Sequence, residues 1–308
     1  MNYKVLYILS HGHSGSTLLD KLLGTHPDAF STGELKYLPF QIYRDGKMCE
    51  LKQDLCTCDK AFKNCDFWSR VINNIKEKSG VNLAATPLSL PLSFIEKPFY
   101  NSDTVIIKII KRLILYIYAY TPSLFRLLAL YYRKRAENNR LLYDCIAEVS
   151  GAKIIIDSSK DPLRYVFLRY FMGEKIIPIV LIRDLKGVYN SYKKLGYTKY
   201  KTLAANWQHF YRKRVTYAIS HQPKNSCLDI NYEELISQPQ QTINKIIQSI
   251  GYTAHKLPNE LDKQKHHMVG GNPGRYTYSL VIKPDESWTN NLTPDERTYL
   301  NKFLFKIT

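Results

Sequence analysis

The most constraining stretch lies at the start of the chain. Lys4 to Ser10 (KVLYILS) is a short apolar run rich in β-formers, bounded by His11-Gly12, and it reads as a buried strand. Ser16 to Gly24 (STLLDKLLG) has apolar residues at helical spacing, opens on Ser-Thr and closes on Gly, so it reads as a helix. Between them lies the tight loop His11-Gly12-His13-Ser14-Gly15. A strand, a Gly/Ser loop and a helix N-terminus make an anion-binding element. Glycines let the backbone approach an anion, and helix-start amides with Ser and Thr hydroxyls can hold phosphate oxygens.

Further strands are expected at Ala152–Ile156, Ile176–Ile182 and Ser226–Asn231. Helices are expected from Asp161-Pro162 toward Phe171, from about Lys186 to Leu195, from about Thr202 to Ser220 and from Gln240 to Gly251. This alternation predicts an α/β fold: a P-loop-like three-layer arrangement with a central parallel sheet flanked by helices. Ligands then gather at the carboxyl ends of the strands. Polar clusters sit at four such ends: Ser10–Thr17, Asp157–Lys160, Arg183-Asp184 and Tyr232-Glu233. The chain reads as one domain over 1–308, with an irregular cysteine-rich insert at about 45–70 and a basic, apolar helical segment at about 90–150.

The usual nucleoside-triphosphate loop is GxxxxGK[ST]; here no Lys precedes Ser16 and Gly12 to Gly15 is too short. Asp157, after Ile154-Ile155-Ile156, resembles the magnesium-holding aspartate of such enzymes, but the first loop does not support it. A P-loop kinase is therefore the runner-up.

Lys and Arg number 44 against 27 Asp and Glu, a net charge of +17, which favours an anionic ligand. From Arg183 to Arg214 the only acid is Asp184. Direct nucleic-acid binding is the rival reading, but no nucleic-acid module signature appears, so no nucleic-acid partner is expected. The greasiest region, Val105 to Tyr132, is interrupted by Lys108, Lys111, Arg112, Pro122 and Arg126, so no transmembrane segment is expected. Helices there would line an acceptor pocket or a homodimer interface. Val5 to Leu9 is too short for a signal-peptide core, so a cytoplasmic protein is expected.

Taken in order, the motifs resemble the sulfotransferases that use 3′-phosphoadenosine 5′-phosphosulfate (PAPS). His13-Ser14-Gly15-Ser16-Thr17-Leu18-Leu19 resembles that family's 5′-phosphosulfate loop, with His13 where Arg or Lys is usual. Arg183-Asp184, with Ser191 eight residues on, resembles its 3′-phosphate element, with Leu185 where Pro is usual. Gly33-Glu34 resembles the Gly-Glu pair of the tyrosylprotein and bacterial branches, and Asp157-Ser158-Ser159-Lys160 resembles a segment of the bacterial branch. Tyr232-Glu233-Glu234-Leu235, then Gly271-Asn272, Arg275 and Trp288, resemble the family's closing motifs.

The resemblance implies a PAPS-dependent sulfotransferase releasing the desulfonated nucleotide PAP. The acceptor would be a hydroxyl, or a nitrogen, of a small-molecule natural product, with a glycan or tyrosyl peptide next. Sulfuryl transfer is an in-line displacement resting on positioning and charge stabilisation. Glu34 is the expected base, and His13 as imidazolium with Lys160 would stabilise the leaving phosphate. His13, Ser14, Gly15, Ser16, Thr17 and Leu18 would hold the 5′ end; Arg183, Ser191, Tyr232, Asn272 and Arg275 would hold the rest of the nucleotide. Tyr232 as a core tyrosine, and Asn272 and Arg275 as plain loop residues, are the alternatives. Cationic side chains replace magnesium, so catalysis is expected to need no metal.

Cys49, Cys56, Cys58 and Cys65 have the spacing C-x6-C-x-C-x6-C, which is not the usual C-x2-C pairing of a zinc site. Zinc and a disulfide stay open, packed free thiols are the expectation, and no metal ligands are assigned. The C-x-C…C-x-F-W run through Phe67 and Trp68 resembles a stretch of the bacterial branch.

Overall fold

The sheet is built around its first strand, whose residues from Val5 onward are buried on both faces. The structure is a computed structural model, and it describes residues 2–44, 55–95, 105–223, 226–282 and 284–303. Strands β1 (Lys4–Ser10), β2 (Ala29–Ser31), β3 (Ile154–Asp157), β4 (Ile176–Ile182) and β5 (Leu228–Asn231) form one all-parallel sheet in the order β2-β3-β1-β4-β5. Val5 lies opposite Ile155 on one side and Ile176 on the other.

Alternation along the strands divides the core into two layers. Val5, Tyr7, Leu9, Ile155 and Val180 join one apolar cluster with Trp68, Phe167 and Trp207. Leu6, Ile8, Ile154, Ile156, Ile179 and Leu181 join the other with Leu19, Ile243 and Ile247. The helices that cover these faces are, in chain order, α1 (Ser16–Leu23), α2 (Leu38–Arg44), α3 (Asp66–Ser79), α4 (Val105–Tyr120), α5 (Pro122–Tyr131), α6 (Arg133–Ser150), α7 (Pro162–Met172), α8 (Leu185–Lys193), α9 (Tyr200–His209), α10 (Thr216–Ile219), α11 (Tyr232–Ser237) and α12 (Pro239–Ser249). The parallel sheet between helical layers is the expected architecture. Among the described residues no helix is long and apolar enough to cross a membrane.

Three local features differ from the sequence expectation. The edge strand β2 was not predicted: three residues are too few to show a period, and its backbone is fixed by pairing with β3. The irregular insert ends sooner than expected, because α3 begins at Asp66; Cys49 lies outside the described residues. The helix expected from Thr202 to Ser220 is broken by a π-helical stretch, Phe210–Val215, between α9 and α10. Such a widened turn re-aims side chains. Here it brings Tyr211 Oη to donate to Leu181 O at 2.7 Å and to accept from His11 N at 3.2 Å, joining the end of β4 to the loop after β1.

Candidate active site

The loop after β1 turns sharply into α1. Gly15 caps the helix at φ 89°, where a Cβ would overlap the Tyr232 ring, so glycine alone fits. His13 is held at φ 61°, a left-handed conformation that costs a non-glycine residue about 1–3 kcal/mol. Ser14 and Ser16 are buried, while Thr17 and Leu18 are partly exposed. The His13 ring packs edge-on against Tyr192, with centroids 4.3 Å apart.

The end of β4 supplies a cation to this loop. Arg183 is buried; its Nη1 donates to His13 O at 3.1 Å and to Ser191 Oγ at 3.5 Å. Its guanidinium stands 4.4 Å over the Tyr232 ring and 3.8 Å from Asp285 Oδ2. The fold thus joins the Arg183–Ser191 pair, Tyr232 and the His13 loop. Asp184 does not pair with Arg183 among these contacts; it caps α8 through Lys186 N. Asn272 is exposed; its N–H donates to Thr17 Oγ1 at 3.4 Å and its side chain accepts from Gly274 N. Arg275 is buried; its guanidinium donates to Gly271 O and Tyr276 Oη, and its carbonyl oxygen lies 2.6 Å from His266 Nε2.

Glu34 follows β2 and is fixed through its backbone. Its N–H donates to Val269 O at 2.6 Å, and the preceding Gly33, at φ 71°, leaves no room for a Cβ against that carbonyl. Asp20 of α1 accepts from Ser31 Oγ (2.5 Å), Gly33 N (3.1 Å) and Ser158 Oγ (2.6 Å), gathering α1 and the ends of β2 and β3 around one buried carboxylate. The Glu34 carboxylate points to Lys160, whose Nζ is 2.7 Å from Oε1. Lys160, like His13, is a non-glycine residue at φ 61°. Gly271 lies where a Cβ would be 3.4 Å from Thr17 Oγ1 and 3.8 Å from Glu34 Oε1, so the loop after β1, Glu34 and the Gly271 loop converge.

Residues 123–256 match the model of the Sulfotransferase family. That stretch of the chain is similar to the sulfotransferases. The matched span runs from α5 through α12 and includes Lys160, Arg183, Ser191 and Tyr232; the His13 loop and Glu34 lie before it. Two solved structures share the fold. One is the sulfotransferase domain of the olefin synthase of Synechococcus PCC 7002, with TM-score 0.52, 17% identity and coverage of 100% of this chain and 97% of that chain. The other is the sulfotransferase domain from the curacin biosynthetic pathway, with TM-score 0.51, 16% identity and coverage of 97% and 96%. No curated protein matches the chain.

Two features bear on rival chemistry for this sulfotransferase fold. Asp157, the candidate magnesium ligand of a kinase reading, is buried with both oxygens engaged. Oδ2 accepts from Tyr143 Oη and Arg164 Nη1, each at 2.6 Å, and Oδ1 accepts from Ser159 N at 2.9 Å. Arg164 is itself buried and bonded to Asn139, so Asp157 is the anchor of a structural network. The second is the electrostatic setting of His13 in the free protein. Burial, then Lys160 and Arg183, lower its pKa below the ordinary value, which favours the uncharged imidazole. Asp20 and Tyr211 went unnoticed in the sequence, since an acid inside a helix and a tyrosine in a long helix carry no local signal of what they touch.

Proposed function

We propose that this chain is a sulfotransferase that transfers a sulfuryl group from PAPS to a hydroxyl, or a nitrogen, of a small-molecule natural product. The observation that carries the proposal is the Glu34–Lys160 pair, 2.7 Å apart, beside the anion-binding loop after β1. A base and a cation are both needed where an acceptor loses a proton while a phosphate gains charge. The residues present fit the donor. Arg183 and Ser191 converge on the same loop, and the planar guanidinium suits a terminal phosphate. The Tyr232 ring, against Gly15 and Arg183, offers a stacking face.

Bound PAPS supplies the activated sulfuryl group; the chain supplies positions and charges. Amides at the start of α1, with Ser14, Ser16, Thr17 and Leu18, hold the 5′ end, while Arg183 and Ser191 hold the 3′-phosphate, with Tyr232 and the Asn272–Arg275 loop around the nucleotide. Lys160 gives up its contact with Glu34 to face the developing negative charge. Glu34 then takes the acceptor proton at its carboxylate. His13 donates a hydrogen bond, and becomes imidazolium only where bound anions outweigh Lys160 and Arg183.

The acceptor side belongs to the helical segment. A cavity of about 480 Å³ is lined by Ile109, Leu113 and Tyr116 of α4 and by Arg112, Lys213 and Arg214. Arg214 reaches within 3.9 Å of Asp161, next to Lys160. An apolar wall with cations suits an acceptor with an apolar body and an acidic group. The test is incubation with PAPS and a panel of hydroxylated small molecules, read by mass spectrometry, beside thermal shifts with PAP, ATP-Mg and an oligonucleotide. Sulfated product, with stabilisation by PAP alone, supports the reading. Stabilisation by ATP-Mg with phosphoryl transfer establishes the kinase instead.

A further inference from the structure

We propose that Cys56, Cys58, Cys65 and His267 form a closed structural zinc site. The four ligand atoms lie within 4.8 Å of one another. Cys56 Sγ is 3.6 Å from Cys65 Sγ, and His267 Nδ1 is 3.3 Å from Cys65 Sγ and 3.6 Å from Cys56 Sγ. In tetrahedral zinc, bonds of about 2.3 Å to sulfur and about 2.0–2.1 Å to nitrogen put neighbouring sulfurs roughly 3.8 Å apart and sulfur and nitrogen roughly 3.6 Å apart. The observed spacings are those of ligands around one ion. A disulfide would need two sulfurs about 2.05 Å apart.

The surroundings match a metal site as well. The second ring nitrogen of His267, Nε2, is 2.8 Å from Gln264 O, so it carries the proton and leaves the Nδ1 lone pair facing the sulfurs. Phe67 stacks on the His267 ring at 5.4 Å, and buried Phe62 and Trp68 complete an apolar wall. Four protein ligands of the Cys3His type leave no open position, which is the structural rather than the catalytic pattern. On binding, the thiols become thiolates and their three protons pass to solvent. Sequence spacing favoured free thiols because the fourth ligand comes from 202 residues beyond Cys65.

The ion would tie the insert before α3 to the segment that holds Glu34. Trp68 Nε1 donates to His267 O at 2.9 Å and Thr57 Oγ1 to His266 O at 2.6 Å. Two residues beyond His267, Val269 accepts from Glu34 N. The site stands on its own geometry and does not depend on the identity of the transferred group.

The experiment uses the full chain, purified without a polyhistidine tag and dialysed against metal-free buffer. Plasma mass spectrometry is expected to find about one zinc per chain, and exchange into cobalt to give thiolate charge-transfer and tetrahedral d–d bands. Removal of the metal with EDTA should lower the melting temperature by at least about 5 °C. Cys65→Ser and His267→Gln should lose the metal, while Cys227→Ser, outside the cluster, should keep it. The wild-type zinc content and cobalt spectrum decide the matter even where a variant does not fold. A folded wild-type chain that takes up neither metal, or peptide mapping that finds Cys56 and Cys65 disulfide-bonded, overturns the proposal.

Discussion

Asp20→Asn offers a quantitative test of how the site is held together. Burial raises the Asp20 pKa from 3.8 to about 7, only partly opposed by hydrogen bonds from Ser158 and Ser31. The folded chain therefore keeps a proton that the unfolded chain releases near pH 4. Its contribution to stability is fully present below pH 4 and is lost as pH rises toward 7, the sign opposite to that of a salt-bridged aspartate. The gap from 3.8 to about 7, at about 1.4 kcal/mol per pH unit, is on the order of 4 kcal/mol. Asparagine can reproduce the protonated form: its oxygen accepts from Gly33 N and Ser158 Oγ while its amide donates to Ser31 Oγ. The stability of the variant relative to wild type should then rise by roughly that amount between pH 4 and 7 and level off above. Urea denaturation across pH 4 to 8 measures it, and a stability difference independent of pH would refute the assignment.

Arg183→Ala should weaken PAP binding by roughly 10- to 150-fold, the scale of losing one charged hydrogen bond, as read by calorimetry. Glu34→Gln should lower kcat by about 100-fold or more with PAP affinity intact, because only the proton acceptor is lost. Gly15→Ala should abolish PAP binding, since its Cβ meets the Tyr232 ring at φ 89°; Tyr232→Ala in the same chain should restore part of it. The His13 imidazole should titrate below the ordinary histidine range by NMR in the free protein and move upward on adding PAP; no movement would place the phosphates away from His13.

The legible parts of this molecule are those whose cause is local. Strand β4 spans Ile176–Ile182 as predicted because an apolar run dominated by Ile and Val, with Pro178 within it, lies between a polar turn and Arg183. The four polar strand ends were readable for the same reason, and the parallel sheet carries them to one edge. Illegible were the contacts whose partners are far apart in sequence. Tyr211 reaches His11 across 200 residues, and it does so through a π-helical stretch that helical periodicity does not encode. The downward shift of the His13 pKa in the free protein comes from burial and from Arg183 as well as Lys160, and burial is not written in the local sequence.

Position and charge are divided between backbone and side chain at Glu34. Its backbone is pinned by Val269 O and, through Gly33, by Asp20 and by Ser158 N, which donates to Gly33 O at 2.9 Å. Three segments far apart in the chain thus fix where the carboxylate starts. Among the described residues the carboxylate pairs with a lysine in a strained left-handed conformation, a contact that an incoming anion can take over. A rigid backbone with an exchangeable counter-ion lets the base stay in place while the cation changes partner. On this account, loosening the Val269 segment should lower kcat with little effect on nucleotide affinity, whereas Lys160→Met should lower both. Equal effects of the two perturbations on PAP binding would mean that Lys160 serves only to anchor Glu34.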